Sequence, residues 1–170
     1  MQPHQANPPH GQPQQGYPPP SYPQQFGAPV RLRANPVASI LAGLLALLTA
    51  GLLVWFAVAN ILVNNFPEPW PSGVWINVVG GFCSAGLLVV LAVFTFLRTV
   101  AGAWTLGAIN VFFVIMNLVF SPLAHGVSFG SQLDFVFGFH KATGIAVGLT
   151  TIFGTLTAII AFVAAIARRP

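Results

Sequence analysis

The sequence has very little charge. Only 5% of its 170 residues are Asp, Glu, Lys or Arg, against about 25% in an average soluble domain. Soluble proteins depend on surface charge to stay dispersed. In this chain 55% of the residues are hydrophobic, and the mean hydropathy is +0.79. The composition therefore excludes an ordinary soluble domain and indicates a protein whose solvent is largely lipid.

Cysteines and clustered basic residues are also scarce, and each shortage excludes a class of function. The single cysteine, Cys83, lies inside an apolar run, so the chain forms no intrachain disulfide and no cysteine-based metal site. The net charge of +4 comes from six Lys and Arg residues that stand singly or in pairs near the ends of apolar runs. A nucleic-acid-binding surface needs such residues clustered, so we expect no nucleic-acid partner.

The first 30 residues contain no Asp, Glu, Lys or Arg and are rich in proline, glutamine and tyrosine. Such a segment buries too little apolar surface to offset the entropy that it would lose on ordering. We therefore predict a disordered N-terminal tail over residues 1–33, with local polyproline II character. Within it, Pro19, Pro20 and Tyr22 match the PPxY pattern that WW domains bind. A plain flexible tether is the alternative interpretation.

Four long apolar runs follow the tail. Each reaches the roughly 20 residues that cross a hydrocarbon core about 30 Å thick, and none contains an internal charge. In lipid the backbone must satisfy its own hydrogen bonds, so runs of this length are helices. We predict an all-α membrane protein whose residues 34–170 form a four-helix transmembrane bundle. The helices are predicted at about 36–61, 74–97, 101–120 and 142–167, and the outer loops at about 62–73 and 121–141.

The few charged residues predict an orientation. With four spans, all five arginines fall on one side of the membrane, and the other side receives Glu68, Asp134 and Lys141. The positive-inside rule places the arginine-rich side in the cytoplasm. We therefore expect a multi-pass protein of the cytoplasmic membrane with both its N- and C-termini in the cytoplasm.

Small and polar residues form a stripe along each predicted helix. Lipid gives no hydrophobic drive for helix association, so helices associate by close backbone approach and interhelical hydrogen bonds. The stripes predict either a compact bundle or lateral contacts with other membrane chains. They are Ala38, Ala42, Ala46 and Ala50 in the first helix; Asn77, Gly81 and Ser84 in the second; Ala103, Gly107, Asn110, Asn117 and Ser121 in the third; and Gly144, Gly148, Thr151, Thr155 and Ala158 in the fourth.

Asn110 and Asn117 lie seven residues apart, on one face of the predicted third helix. A buried amide can bond across to a hydroxyl of the fourth helix, and such a bond contributes about 0.6 to 2 kcal/mol. The residues that we assign to interhelical polar contacts are Asn77, Asn110, Asn117, Thr151 and Thr155. The alternative is that the three asparagines line a polar path for a small substrate or ion.

Residues suited to catalysis or metal binding are sparse. The second outer loop holds His125, Asp134 and His140, whose spacing matches no compact metal motif. Ser128 lies near His125 but outside any G-x-S-x-G context. No ionisable residue lies in the middle of a span, which argues against active transport. We expect no catalytic, cofactor or metal site.

The second outer loop is unusually aromatic for a segment outside the spans. Its pattern fits a helical face formed by Phe129, Leu133, Val136 and His140. It fits a strand alternation as well, formed by Phe135, Phe137 and Phe139. Periodicity leaves both structures open. We expect this loop to lie on the outer membrane surface, with a cap over the bundle or a docking surface for a partner as the alternatives.

The tail and first helix together resemble small integral membrane proteins of actinobacteria. Many of these proteins begin with a cytoplasmic tail rich in Pro, Gln, Gly and Tyr and then cross the membrane several times. The excess of arginine over lysine and the Ala, Gly, Val and Leu in the spans fit such a source. The resemblance covers the tail and the spans and implies a membrane protein, without implying any site residue.

These observations lead to one expectation of function and two alternatives. We expect a non-catalytic accessory or scaffolding protein that contacts other membrane proteins, or another copy of itself, through the stripes and the aromatic loop. The first alternative is a small channel or transporter with an asparagine-lined polar path. The second is a membrane enzyme that binds a metal ion or haem.

Overall fold

A computed structural model of the chain describes residues 32–63 and 70–167, with the backbone alone at residues 124 and 125. The described part is all-helical, as the sequence predicts. Residues 1–31 of the predicted disordered tail, which include Pro19, Pro20 and Tyr22, lie outside the described residues. The helices are α1 (Pro36–Val63), α2 (Ser72–Phe96), α3 (Val100–Ile115), α4 (Ser121–His125), α5 (Phe129–Phe137) and α6 (Ala142–Ile166), with a π-helical turn (Met116–Phe120) between α3 and α4.

Four helical stretches are long and apolar enough to cross a bilayer. The predicted four-helix transmembrane bundle is therefore confirmed, and the chain is a multi-pass membrane protein in contact with lipid. The boundaries differ by a few residues from the predicted ones: the first three spans extend past their apolar runs, and the second and fourth end one residue early. The stretches are Pro36–Val63, Ser72–Phe96, Val100–Leu123 and Ala142–Ile166.

Most residues of the small-residue stripes pack inside the bundle, whereas Asn77 and Thr155 are exposed. α1 lies between α2 and α6, and α3 packs against α6. A methyl group added at Gly107 of α3 would lie 2.6 Å from the ring of Phe162 in α6, and one at Gly43 of α1 would lie 2.6 Å from the ring of Phe96 in α2. The absence of a side chain at these glycines therefore leaves room for an aromatic ring of the neighbouring helix. Small residues let membrane helices approach closely in this way.

The turn between α2 and α3 is a Schellman motif. Arg98 has a φ of 58°, and its N–H donates to Thr95 O at 2.9 Å, while the N–H of Thr99 donates to Phe94 O at 3.2 Å. These two bonds satisfy carbonyls that the last turn of α2 leaves without partners. Thr99 is also the N-cap of α3, because its hydroxyl oxygen accepts from the N–H of Gly102 at 3.2 Å. One residue thus ends one span and begins the next.

The described charged residues lie at opposite ends of the bundle. The N–H of Ala34 donates to Arg98 O at 3.1 Å, and Arg98 Nε donates to Ala34 O at 3.2 Å. These bonds bring Arg33 and Arg98 to one end, which we call the arginine end. Asp134, within α5, and Lys141, the residue before α6, lie at the other end, which we call the α5 end. The sequence predicts this separation of charge.

The predicted second outer loop contains two short helices. Gly126, with a φ of 64°, ends α4. α5 begins after Ser128, whose hydroxyl oxygen accepts from the N–H of Ser131 at 3.2 Å as an N-cap. One face of α5, including Gln132 and Val136, is buried. The segment is therefore a helix and not a strand, because only a helix has this cap and this buried face.

Candidate binding cavity at the α5 end

A cavity of about 280 Å3 lies among the four spanning helices, in the half of the bundle toward the α5 end. Its apolar wall includes Leu53 of α1, Phe113 of α3 and Val147 of α6. Its polar groups come from two helices and the π-helical turn: Asn77 and Ser84 of α2, Asn117 of the π-helical turn, and Thr150 of α6. The cavity is therefore a mostly apolar site with a few converging polar groups, as small-molecule sites usually are.

No ionisable side chain lines the cavity, among the residues that the structure describes. A charged group in such a place would lack both water and a counter-ion, and its burial would be unfavourable. Hydrogen bonding and shape are therefore the only means by which these walls select a ligand.

The cavity ends at about the middle of the bundle. Between it and the arginine end lies an apolar core whose members are close to fully buried. This core contains Ala46, Leu88, Leu91, Leu106 and Ala161. The buried polar residues Ser39, Thr49, Thr95 and Thr157 lie in the same half of the bundle, but none of them lines the cavity.

Exposed residues of α2 and of the π-helical turn border the cavity, and they indicate an opening toward the lipid between α2 and α3. These two helices contact each other less than the other neighbouring pairs do. At the α5 end, Ile76 of α2 is 70% exposed and Met116 at the start of the π-helical turn is 40% exposed, although both line the cavity. A methyl group at Gly80 would meet no atom within 4 Å, so the space beside this glycine is open.

The π-helical turn shapes this side of the cavity. In a π-helical turn the N–H of Ser121 donates to Met116 O, one residue farther back than in an α-helix. The carbonyl of Asn117, which would otherwise accept that bond, accepts from Gln132 Nε2 of α5 at 2.9 Å. The turn therefore connects the cavity wall to α5. Turns of this kind are frequent at functional sites.

Asn77 makes a polar contact between helices. Its Nδ2 donates to the Oδ1 of Asn60 in α1, at 3.4 Å. Asn60 was not among the residues that the sequence singles out, because a lone Asn near the end of an apolar run carries no pattern. Its Nδ2 also donates to Phe56 O of its own helix at 2.8 Å.

The expected bridge from Asn110 to a threonine of the fourth span is absent. Asn110 Nδ2 donates to Leu106 O at 2.9 Å, within its own helix. The hydroxyl groups of Thr151 and Thr155 likewise donate to carbonyl groups one turn back in α6, at 2.9 and 2.8 Å. The physical reason is local, because a helical side chain reaches the carbonyl of the preceding turn without any partner helix.

Asn110 and Asn117 differ in their surroundings in spite of their helical spacing. Asn117 lines the cavity, and its Nδ2 donates to Phe113 O at 3.1 Å. Asn110 is buried against α6, where its Oδ1 would lie 3.3 Å from a methyl group at Gly154. That oxygen has no hydrogen-bond partner in the described part of the chain.

Thr150 is a cavity residue that sequence reasoning missed. It is 6% exposed, and its hydroxyl has no hydrogen-bond partner among the described residues. The other buried threonines behave differently: the hydroxyl groups of Thr49, Thr95, Thr151 and Thr157 each donate to the carbonyl four residues back. No sequence signal separates Thr150 from Thr151 beside it. Both are buried, and they differ in that only Thr150 faces the cavity.

α5 packs on the first turns of α6 through a pair of glycines. A methyl group at Gly144 would lie 2.6 Å from Phe135 O, and one at Gly148 would overlap Val136 O. The GxxxG spacing of these glycines therefore serves the approach of α5 to α6. Phe139 follows α5 with a φ of 53°, a strained backbone for a bulky residue, and this places its ring against Gly148.

The described side chains that were considered for metal binding or catalysis make local contacts around α5. His140 Nε2 lies 3.7 Å from Asp134 Oδ1, and both side chains are exposed. Ser128 is the N-cap of α5, with its oxygen 2.8 Å from Ser131 Oγ. The side chain of His125 lies outside the described part of the structure. No group of three or more His, Cys, Asp and Glu side chains suited to a metal ion occurs within the ranges that the structure describes.

Comparison with known proteins gives no family for this chain. No protein-family model matches it, and neither the curated proteins nor the solved structures include a significant match. Its function therefore has to be inferred from the geometry of its own residues.

Proposed function

We propose that this chain is a non-catalytic accessory or scaffolding protein of the membrane, and that it contacts another membrane protein through α5. The observation that carries the proposal is an aromatic surface held in a fixed position. Four phenylalanines of this segment remain more than a third exposed although α5 itself is docked on the bundle. We call them the aromatic surface: Phe129, Phe135, Phe137 and Phe139.

The fixed position of α5 favours binding. Gln132 attaches α5 to the carbonyl of Asn117 at 2.9 Å, and the glycine pair of α6 admits its backbone at close range. An ordered surface loses less conformational entropy on association than a mobile loop does. Aromatic side chains are also enriched in the buried centres of protein interfaces. Both properties suit a partner that lies beside the bundle at the membrane surface.

The charge distribution supports an orientation for this surface. Arg33 and Arg98 lie at the arginine end, and the positive-inside rule favours the cytoplasm for that end. The proposal therefore places the N- and C-termini in the cytoplasm and the aromatic surface on the outer side of the cytoplasmic membrane. A partner would meet α5 from that side.

Conduction through an asparagine-lined path is the competing proposal. Asn77 and Asn117 border the cavity, but Asn110 is buried against Gly154 and outside the cavity wall. The Ala- and Leu-rich core then occupies the half of the bundle toward the arginine end. This arrangement favours a binding site over a conduction path.

Purification in mild detergent tests the proposed role. We expect the chain to co-purify with a second membrane protein or a second copy of itself. The Phe129→Ala/Phe135→Ala double variant should lose that partner. The matched control is Phe112→Ala, which removes an exposed phenylalanine from the lipid-facing side of α3. The proposal fails if the chain runs alone in every mild detergent, or if the double variant and the control retain the partner equally.

A further inference from the structure

We propose that the cavity binds the head group of an uncharged amphiphile with a hydroxyl or carbonyl group, and that the hydrocarbon tail of this ligand leaves between α2 and α3 into the bilayer. The ligand is a lipid-like molecule rather than a water-soluble solute. Four observations carry this inference: the unpartnered hydroxyl of Thr150, the absence of charge in the wall, the volume of the cavity, and the position of its opening.

The polar groups of the wall suit a head group that both donates and accepts. The Thr150 hydroxyl is buried without a partner among the described residues, whereas the hydroxyl of Thr151 next to it is satisfied within α6. Leaving a buried polar group unpaired is unfavourable. A ligand hydroxyl or carbonyl oxygen beside Thr150 would satisfy it, and Ser84 and Asn117 supply further donors and acceptors in the same wall.

The absence of ionisable groups determines the charge of the ligand. Phosphate or carboxylate head groups are bound by Arg, Lys or helix N-termini, and the described wall contains no such side chain. The nearest described cations in the chain, Arg33, Arg98 and Lys141, belong to the ends of the bundle and not to the cavity. The cavity is therefore suited to a neutral head group, which can leave water without a charged partner.

The volume and the opening together determine the shape of the ligand. The cavity of about 280 Å3 is just below the range of roughly 300 to 1,000 Å3 that holds complete small ligands. It therefore accepts a head group and not an entire lipid. The opening lies on the lipid-facing side, beside Ile76, Gly80 and Met116. A tail that leaves there stays in hydrocarbon, so only the head group has to enter the protein.

Photolabelling of the purified full-length chain tests this inference. The probe is a long-chain primary alcohol that carries a diazirine near its hydroxyl group, added to the protein in lipid nanodiscs. We expect saturable labelling, located by mass spectrometry in the peptides that contain Asn77 and Asn117. A probe with the same chain and a carboxylate head group should label these peptides much less.

A pair of glycine variants separates the cavity from the general lipid surface of α2. Gly80→Leu adds a side chain in the open space at the mouth, where a methyl group would meet nothing within 4 Å. We expect its labelling to fall about tenfold or more, the change that follows from about 1.4 kcal/mol of lost affinity. Gly86→Leu is the matched control, because Gly86 also faces open space on α2 but does not line the cavity. Its labelling should equal that of the wild type.

A pair of threonine variants tests the head-group contact. Thr150→Val keeps the shape of the side chain and removes the unpartnered hydroxyl, so affinity for the alcohol should fall roughly fivefold, as for one lost hydrogen bond. The melting temperature of the ligand-free protein should not fall. Thr151→Val, outside the cavity wall, should leave labelling unchanged. This readout distinguishes a ligand contact from a structural role of Thr150.

Three results would overturn the inference. The first is labelling that does not saturate, or that Gly80→Leu leaves unchanged while the variant remains folded. The second is equal labelling by the alcohol and the carboxylate probes. The third is a change of oligomeric mass in Gly80→Leu without a change in labelling, which would assign the opening to a partner helix instead.

Discussion

At the scale of single residues, Asn110 is a buried side chain whose amide group is only partly hydrogen-bonded. Its amide nitrogen is satisfied within α3, while its Oδ1 is buried without a partner in the described part of the chain. An unpaired buried acceptor is unfavourable, and its replacement by an apolar group of the same shape is often neutral or stabilising. The residue therefore does not connect helices, although its position in the sequence favours that role.

Asn110→Leu tests this interpretation. The variant should keep the melting temperature of the wild type or raise it, since Leu resembles Asn in shape and removes the unpaired oxygen. Gly154 opposite has no side chain to obstruct it. Thermal unfolding in detergent, followed by circular dichroism, measures the effect. A fall of several degrees would restore the bridging role that the sequence predicts.

Gln132 differs from Asn110, because its side-chain hydrogen bond joins two elements. Gln132→Ala removes the donor to Asn117 O and should reduce the stability of the α5 attachment by about 1 kcal/mol. Hydrogen exchange, measured by mass spectrometry, should become faster in α5 and stay unchanged in the peptides of α2. If exchange in α5 does not change, the bond does not hold this helix in place.

At the scale of elements, the docking of α5 on α6 depends on a glycine. Gly148→Ala places a methyl group against Val136 O and the ring of Phe139. Overpacking of this kind costs about 1 to 3 kcal/mol, so the melting temperature should fall and α5 should exchange faster. Gly86→Ala meets no atom within 4 Å and serves as the control. It should be neutral or stabilising, by up to about 1 kcal/mol, because Ala favours the helix.

The junction of α2 and α3 depends in the same way on Thr99. Thr99→Ala removes the N-cap bond to Gly102 and the bond from its hydroxyl to Phe94 O. Loss of such a cap costs about 1 kcal/mol. Thr99→Ser retains the oxygen and should behave like the wild type. Comparison of the two melting temperatures checks the prediction, and equal values would show that the Schellman turn alone holds this junction.

At the scale of the whole molecule, the separation of charge predicts the topology. In a Cys83→Ser chain, a cysteine at Phe129 of the α5 end should react with a membrane-impermeant maleimide on intact cells. A cysteine at Leu97 of the arginine end should react only after permeabilisation, because the positive-inside rule places that end in the cytoplasm. Both positions are well exposed in the structure. The reverse pattern of labelling would invert the proposed orientation and place the aromatic surface in the cytoplasm.

The architecture of the bundle follows from its sequence because the relevant signal is local. A run of apolar residues long enough for the hydrocarbon core forms a helix wherever it lies, since lipid leaves the backbone no other way to satisfy its hydrogen bonds. Small residues at helical spacing then predict close contact, and Gly81 and Gly107 indeed lie against neighbouring helices. The arginines likewise mark the span ends without any knowledge of the fold.

The second loop and the cavity depended on the tertiary structure. The pattern of Phe135, Phe137 and Phe139 is compatible with two secondary structures, and the contact of α5 with α6 decides between them. The sequence pattern likewise does not distinguish Thr150 from its neighbour Thr151, or Asn110 from Asn117 seven residues later. The rotation of the four helices relative to one another determines which of these polar groups faces the cavity. A single sequence does not specify that rotation.

The sequence by itself therefore determined that this chain has four helices long and apolar enough to cross the membrane, and it predicts that the arginines share one side, because helix length and charge act residue by residue. Only the tertiary structure decided that α5 is a docked helix, that Asn110 bonds within its own helix, and that Thr150 lines a cavity with its hydroxyl unpaired among the described residues. The physical reason is that the surroundings of a polar side chain depend on how the helices pack against one another, and the residues that pack around it are distant in sequence.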